Sequence, residues 1–318
     1  MSEKFGFVFP GQGSQSLGML ADIAKEFSEI HITFEEASDI LGYDLWKLAQ
    51  VGPLVELDKT VHTQPILLAA SFAIWRILEK AQVKPIVMAG HSLGEYSALV
   101  CSKAISFKKG IELVAARGQY MQEAVPAGKG GLAAIVGLED ADIVDICKKS
   151  VVADEVLAPA NYNCPGQVVI AGHILAVERA LVLAKESGAR LAKLLPVSVP
   201  SHCILMKPAA EKLAVLLENM PISTPVYPVL NNVDVKIYQN EEDIRHGLVK
   251  QLYMPVRWVE IMQSLVQLGI TQLIECGPGK VLSGLSKRMF SNVQLTNTAD
   301  LVSLQTTLQT LSENQKSN

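Results

Sequence analysis

Pro85-Ile86-Val87-Met88-Ala89-Gly90-His91-Ser92-Leu93-Gly94 is the stretch that decides the fold. Its first half is a short apolar run between a proline and a glycine, the pattern of a central parallel strand covered on both faces. Its second half matches G-x-S-x-G, and helix-forming sequence follows from Gly94 to Lys103. Strand, sharp turn and helix in that order are the context a nucleophile elbow requires. Glycines on both flanks permit a tight turn that lifts the serine oxygen clear of the backbone. The helix start beyond it aims N–H dipoles at the place where an oxyanion would form. Ser92 is therefore the candidate nucleophile, against the plainer reading of a structural turn.

Outward from this point, strands and helices alternate. Phe5–Phe9 reads as a strand running into the loop Gly11-Gln12-Gly13. Amphipathic spacing predicts a helix from Met19 to Gly42, a shorter one from Asp44 to Gln50, and an almost wholly apolar one from Pro65 to Ala81. Another helix follows at Lys108–Ala124, so the large unit is α/β. After the glycine-rich stretch 126–131 the order changes to strand, helix, two strands, helix, strand, the last spanning Ala189–Val197. This βαββαβ run is the ferredoxin-like pattern, and it predicts a small domain at 128–197 inserted into a large one made of 1–127 and 198–318. Back in the large domain come a helix (Pro208–Asn219), a strand (Tyr227–Leu230), two helices and a buried strand, Gln272–Glu275. The chain closes in a polar tail after Leu311.

Composition narrows the function. The chain has 318 residues, 49% of them hydrophobic and 19% charged, so a sizeable core is expected and overall disorder is excluded. Lys and Arg number 28 against 32 Asp and Glu, a net charge of −4, which lacks the basic field that nucleic-acid binding uses. The five cysteines are widely spaced with no C-x-x-C pair, which argues against a disulfide framework or a zinc site and fits a reducing compartment. No signal peptide is visible, and the greasy stretch Ile66–Leu78 is short for a bilayer span and contains Arg76. A cytoplasmic protein with no membrane partner is the expectation.

A nucleophilic serine needs a base, and six histidines are available. His31 and His246 fall on polar helical surface, His62 before a helix start, and His173 in the insert. His91 adjoins Ser92, but neighbours on a sharp turn point apart. His202, in Val199-Pro200-Ser201-His202-Cys203, lies on a loop where the chain re-enters the large domain, a usual place for catalytic groups. Spacing alone leaves the choice open. It also leaves Arg117 between a snorkelling surface residue and a guanidinium fork for a carboxylate. Gly11–Ser16 fails G-x-G-x-x-G at Ser16, and Gly279-Lys280 lacks the rest of a Walker loop, so no dinucleotide or triphosphate site is predicted.

In combination the motifs say more. Phe9-Pro10-Gly11-Gln12-Gly13-Ser14-Gln15, Gly90-His91-Ser92-Leu93-Gly94-Glu95, Arg117-Gly118, Asn161-Tyr162-Asn163, Val199-Pro200-Ser201-His202, Gln251–Trp258 and Glu275-Cys276-Gly277-Pro278-Gly279 occur in order. Together they resemble the malonyl-CoA:acyl carrier protein transacylases of fatty acid synthesis, over nearly the whole chain. The resemblance implies an α/β-hydrolase-like large domain with the ferredoxin-like insert. It implies Ser92 as nucleophile, His202 as base, and an oxyanion hole from the backbone N–H groups of Gln12 and Leu93. It further implies that the backbone carbonyl of Gln251 orients the histidine, that Arg117 anchors the malonyl carboxylate, and that Asn161 and Asn163 lie near the site. Malonyl-CoA and an acyl carrier protein with its phosphopantetheine thiol would be the partners, with no metal or resident cofactor, and the enzyme would be a monomer. The carrier protein is expected to be acidic, with Lys185, Arg190, Lys193, Lys287 and Arg288 as candidate contacts. The competing readings are a serine esterase or thioesterase, which would orient His202 with an acidic residue, and a non-catalytic module that docks the carrier.

Overall fold

The computed structural model describes residues 3–197, 199–290 and 293–316. Strands β1 (Phe5–Phe9), β2 (Val87–Gly90), β3 (Gly130–Val136), β4 (Leu157–Cys164), β5 (Gln167–His173), β6 (Leu191–Leu194), β7 (Val229–Leu230), β8 (Gln272–Glu275) and β9 (Gln294–Asn297) form two sheets. The larger is parallel throughout, in the order β7-β2-β1-β8-β9. β1, β2 and β8 are buried along their whole length, as expected for parallel strands covered on both faces. The smaller is antiparallel, in the order β4-β5-β3-β6, with β3 and β5 central, the ferredoxin-like arrangement. All four of its strands lie between Gly130 and Leu194, and every strand of the parallel sheet lies outside that interval. Residue 198, where the reading of the sequence returns the chain to the large domain, lies outside the described residues.

Helix Thr60–Lys80 runs through the main core, buried on nearly every face. It starts five residues before Pro65, the predicted start, and is long and apolar enough to cross a membrane by length and composition, yet it is mostly buried within the protein. Its packing, including an edge-on contact between Phe7 of β1 and Trp75, marks it as a core helix. The helix predicted from Met19 to Gly42 is broken. Leu20 takes a left-handed φ of 62°, the Asp22 carboxylate accepts from the Ile23 N–H to cap a short 3-10 turn, and the α-helix begins only at Glu29. The last strand of the insert contracts from 189–197 to Leu191–Leu194. The predicted strand 227–230 contracts to Val229–Leu230, because Pro228 has no N–H to offer a ladder. The C-terminus also departs from its reading as a polar tail: helix Leu301–Lys316 carries it, preceded by the unpredicted edge strand β9.

The two domains meet at β4. The Tyr162 N–H donates to the Val256 carbonyl and the Val256 N–H to that of Ala160, so the strand carrying Asn161 and Asn163 is stitched to the large domain. A cavity of about 360 Å³ opens between the sheets there.

Candidate active site

The end of β2 makes the turn its glycines predict. Ser92 has φ 53° and ψ −110°, a conformation that L-residues rarely adopt, and it caps helix Leu93–Cys101. The glycines are needed for space. A Cβ on Gly90 would lie 1.8 Å from the Gly94 carbonyl carbon, and one on Gly94 would lie 2.0 Å from the Phe9 carbonyl oxygen. The elbow is braced from outside by Asn232, whose Oδ1 accepts from the Ser92 N–H at 2.8 Å and whose Nδ2 donates to the Gly90 carbonyl at 2.6 Å.

Of the six histidines, His202 is the one the fold brings to the serine. Its Nε2 lies 2.7 Å from Ser92 Oγ, and its Nδ1 lies 2.7 Å from the main-chain oxygen of Gln251. A carbonyl can only accept, so Nδ1 carries the proton and Nε2 is left to accept from the hydroxyl. His202 also sits at a left-handed φ of 63° and its N–H donates to the Leu252 carbonyl, so backbone constraint holds the ring. Burial, reinforced by the positive charge of Arg117, pushes the imidazole down to about 3, against the pull of the Gln251 carbonyl. The ring is neutral and basic at Nε2 throughout the physiological range. Acylation of Ser92, measured as a single turnover, is therefore expected to show no acid limb between pH 7 and pH 5, where a free histidine of ordinary pKa would already protonate.

The other histidines are placed elsewhere. His91 turns away from Ser92 and pairs with Asn163 Oδ1 at 2.8 Å, with its ring edge-on to Trp258. His31 and His246 are exposed, and His173 Nδ1 accepts from the Val156 N–H. His62, read as preceding a helix, lies inside the first turn of Thr60–Lys80.

Arg117 is no surface residue. It is 1% exposed, with Nη1 donating to Gln64 Oε1 at 2.8 Å and Nη2 to Gln251 Oε1 at 3.0 Å, and its guanidinium lies over the Tyr96 ring. Among the described residues no carboxylate pairs directly with it, and its Nε has no acceptor. It lines the cavity together with Gln12, Ser92, Leu93, Asn161, Asn163 and His202. Leu93 N–H is the first of its helix, and in the described structure neither it nor the Gln12 N–H donates to another group. Asn161 and Asn163 come from the insert, on β4.

Side-chain contacts that the sequence does not announce, from Gln251, Gln64, Thr60 and Glu95, tie these parts together. The Gln251 side chain donates from Nε2 to the Ser92 carbonyl at 2.9 Å and to Glu95 Oε2 at 2.6 Å. Gln64 Nε2 donates to Thr60 Oγ1 at 2.7 Å, and Thr60 in turn donates to Gln12 Oε1 at 3.2 Å. Glu95 is fully buried, accepting also from the Tyr238 hydroxyl and the Asn232 N–H. The available signal is a lone acid in the otherwise uncharged run Leu93–Cys101, and a glutamine immediately before the apolar run that opens at Pro65.

Residues 6–316 match the acyl transferase domain family. The chain belongs to that family. Among relatives of this family member, the malonyl CoA-acyl carrier protein transacylase of Haemophilus influenzae is 56% identical over 303 residues, 95% of this chain and 97% of that protein. The protein of the same description from Escherichia coli K12 is 55% identical, covering 90% and 93%. Among solved structures, a malonyl-transacylase in complex with its type II PKS acyl-carrier protein aligns with a TM-score of 0.95 at 55% identity, over 97% of this chain and all of that one. An acyl carrier protein S-malonyltransferase from Vibrio cholerae aligns with a TM-score of 0.92 at 53% identity, over 96% and 100%.

Proposed function

We propose that this acyl transferase moves the malonyl group of malonyl-CoA to the phosphopantetheine thiol of an acyl carrier protein, through a malonyl ester on Ser92, in fatty acid synthesis. The observation that carries the reading is the buried Arg117 fork in the same cavity as the Ser92–His202 pair. A nucleophile and base alone fit any acyl transfer; a desolvated cation beside them selects an acyl group that ends in a carboxylate.

The steps follow from the contacts. Ser92 Oγ attacks the thioester carbonyl as its proton passes to His202 Nε2, and the imidazolium is held in orientation by the Gln251 carbonyl. The tetrahedral oxyanion forms opposite the N–H groups of Gln12 and Leu93, where the helix start adds its dipole. Collapse breaks the C–S bond, and His202 returns the proton to the CoA thiolate. The carrier thiol then repeats the sequence on the ester, giving its proton to His202 and regenerating Ser92. The reaction needs no metal and no resident cofactor, and a cytoplasmic setting, where CoA thioesters and carrier proteins meet, belongs to the same reading.

The esterase reading expected a carboxylate against His202, and a main-chain carbonyl stands there instead. For the carrier, exposed Lys287 and Arg288 are the best placed of the basic residues, since Arg288 donates across the domain boundary to Gln167, which lines the cavity. The test is the intact mass of the protein after brief mixing with malonyl-CoA. A stable adduct of one malonyl group, discharged on adding holo carrier protein, is the expected result. Steady release of free malonate without an adduct would favour a hydrolase, and an unchanged mass a docking module.

A further inference from the structure

The carbonyl of Gln251 serves the base, while its side chain joins two buried charged groups. Arg117 Nη2 donates to Gln251 Oε1 at 3.0 Å, and Gln251 Nε2 donates to Glu95 Oε2 at 2.6 Å. With both donors of the amide committed, to Glu95 and to the Ser92 carbonyl, the oxygen can only face Arg117. Glu95 and Arg117 thus face each other across one amide, and above pH 7, without substrate, their charges balance.

A substrate carboxylate disturbs that balance. Once it pairs with Arg117, two anions share one cation in a desolvated pocket, an arrangement that is costly at low effective dielectric. Resting on the malonyl reading above, we propose that Glu95 is the counter-ion of Arg117, relayed through Gln251, and that it takes up one proton from solvent when the malonyl carboxylate docks. The proton goes to a Glu95 carboxyl oxygen, and the pocket returns to neutrality. Glu95 is then a positioning and specificity residue that never touches the substrate.

The surroundings of Glu95 agree. The titratable and charged neighbours are Tyr238, Arg117 from helix 107–124 and Tyr96 on its own helix, with His202 beyond Gln251 and Asp234 acting on Tyr238. Among the described residues, β1, β2 and helix 60–80, which also pack on this helix, bring no charged group to Glu95; Glu79 of helix 60–80 acts on Cys101, at the other end of the helix. Burial pushes the carboxyl up to about 7, against the opposing effect of Tyr238, Gln251, the Asn232 N–H and the Arg117 charge. Neutralising Arg117 removes one of those opposing effects, so docking raises it further. Malonyl affinity is then greatest below pH 7, declines as the pH rises from there through the bound-state value, and levels off above it.

The experiment uses Ser92→Ala, which binds malonyl-CoA without reacting. Calorimetric titration at pH 8 in buffers of different ionisation heat counts the protons, with acetyl-CoA cancelling the contribution of the shared CoA. Extra uptake with malonyl-CoA is expected in Ser92→Ala and none in Ser92→Ala/Glu95→Gln. Affinity for malonyl-CoA should weaken about tenfold or more from pH 6 to pH 9 in the first, the equivalent of a rise of one pKa unit or more on docking. In the second it should stay flat and exceed the first at pH 9, a gain that structural damage would not produce. Equal proton counts for the two thioesters, or uptake that survives Glu95→Gln, would overturn the proposal. Where Glu95→Gln fails to fold, Tyr238→Phe removes one donor to the carboxylate and should move the pH window upward; an unmoved window would overturn it equally. Loss of malonyl preference over acetyl in Arg117→Ala separates the two layers: if that preference stays, the malonyl clamp itself is wrong.

Discussion

Ser92→Ala should leave the intact mass unchanged after malonyl-CoA treatment, and His202→Ala should slow formation of the adduct by about 10⁴-fold or more, the scale seen when members of such catalytic units are removed. The two losses have different origins. Without the hydroxyl there is no atom to esterify, so no concentration of thioester restores the adduct. Without the imidazole the hydroxyl is still there, 2.7 Å from a missing acceptor, and must lose its proton to water. The residual rate in His202→Ala should rise with pH as hydroxide substitutes for the base. The double variant should be no worse than Ser92→Ala, because residues that act as a unit are not additive. Rapid-quench mass spectrometry separates these outcomes. An adduct in Ser92→Ala would place the nucleophile elsewhere.

Arg117→Ala should lose malonyl transfer by about 10³ to 10⁴-fold while acetyl transfer changes little. The asymmetry comes from burial. In the native protein the fork is desolvated by the fold before substrate arrives, so a carboxylate finds two N–H donors already aimed by Gln64 and Gln251. In the alanine variant the same carboxylate enters a dry pocket with no cation, and a buried charge without a partner is strongly disfavoured. An acetyl group never used the fork, and gains room. Comparing kcat/KM for the two thioesters checks this; equal losses would point to general damage near Tyr96, whose ring the guanidinium covers.

The parts of this picture that could be read from the sequence are those dictated locally. Gly90 and Gly94 stand where a Cβ would strike backbone, so the elbow is written in adjacent residues. The insert was legible because each of its strands and helices is short and bounded by turn residues. His202 was not legible from spacing, since 110 positions separate it from Ser92 and only the tertiary fold closes that gap. Arg117 was ambiguous for a related reason. An arginine on a helix looks the same in sequence whether it faces water or a cavity, and the Gln64 and Gln251 side chains that hold it come from distant segments. β9 escaped notice because Gln294–Asn297 is a half-exposed edge strand with few apolar residues. The start of helix Thr60–Lys80 is hidden in the sequence because its first turns carry polar residues, which the fold uses to reach Gln12 and Arg117.

The orienting contact on His202 comes from the peptide backbone. In a hydrolase triad that duty falls to a side chain, and a single base change can delete it. No codon change at position 251 erases a main-chain oxygen, so drift can vary the amide beyond it, and with it the acyl preference, while the proton relay keeps its third member.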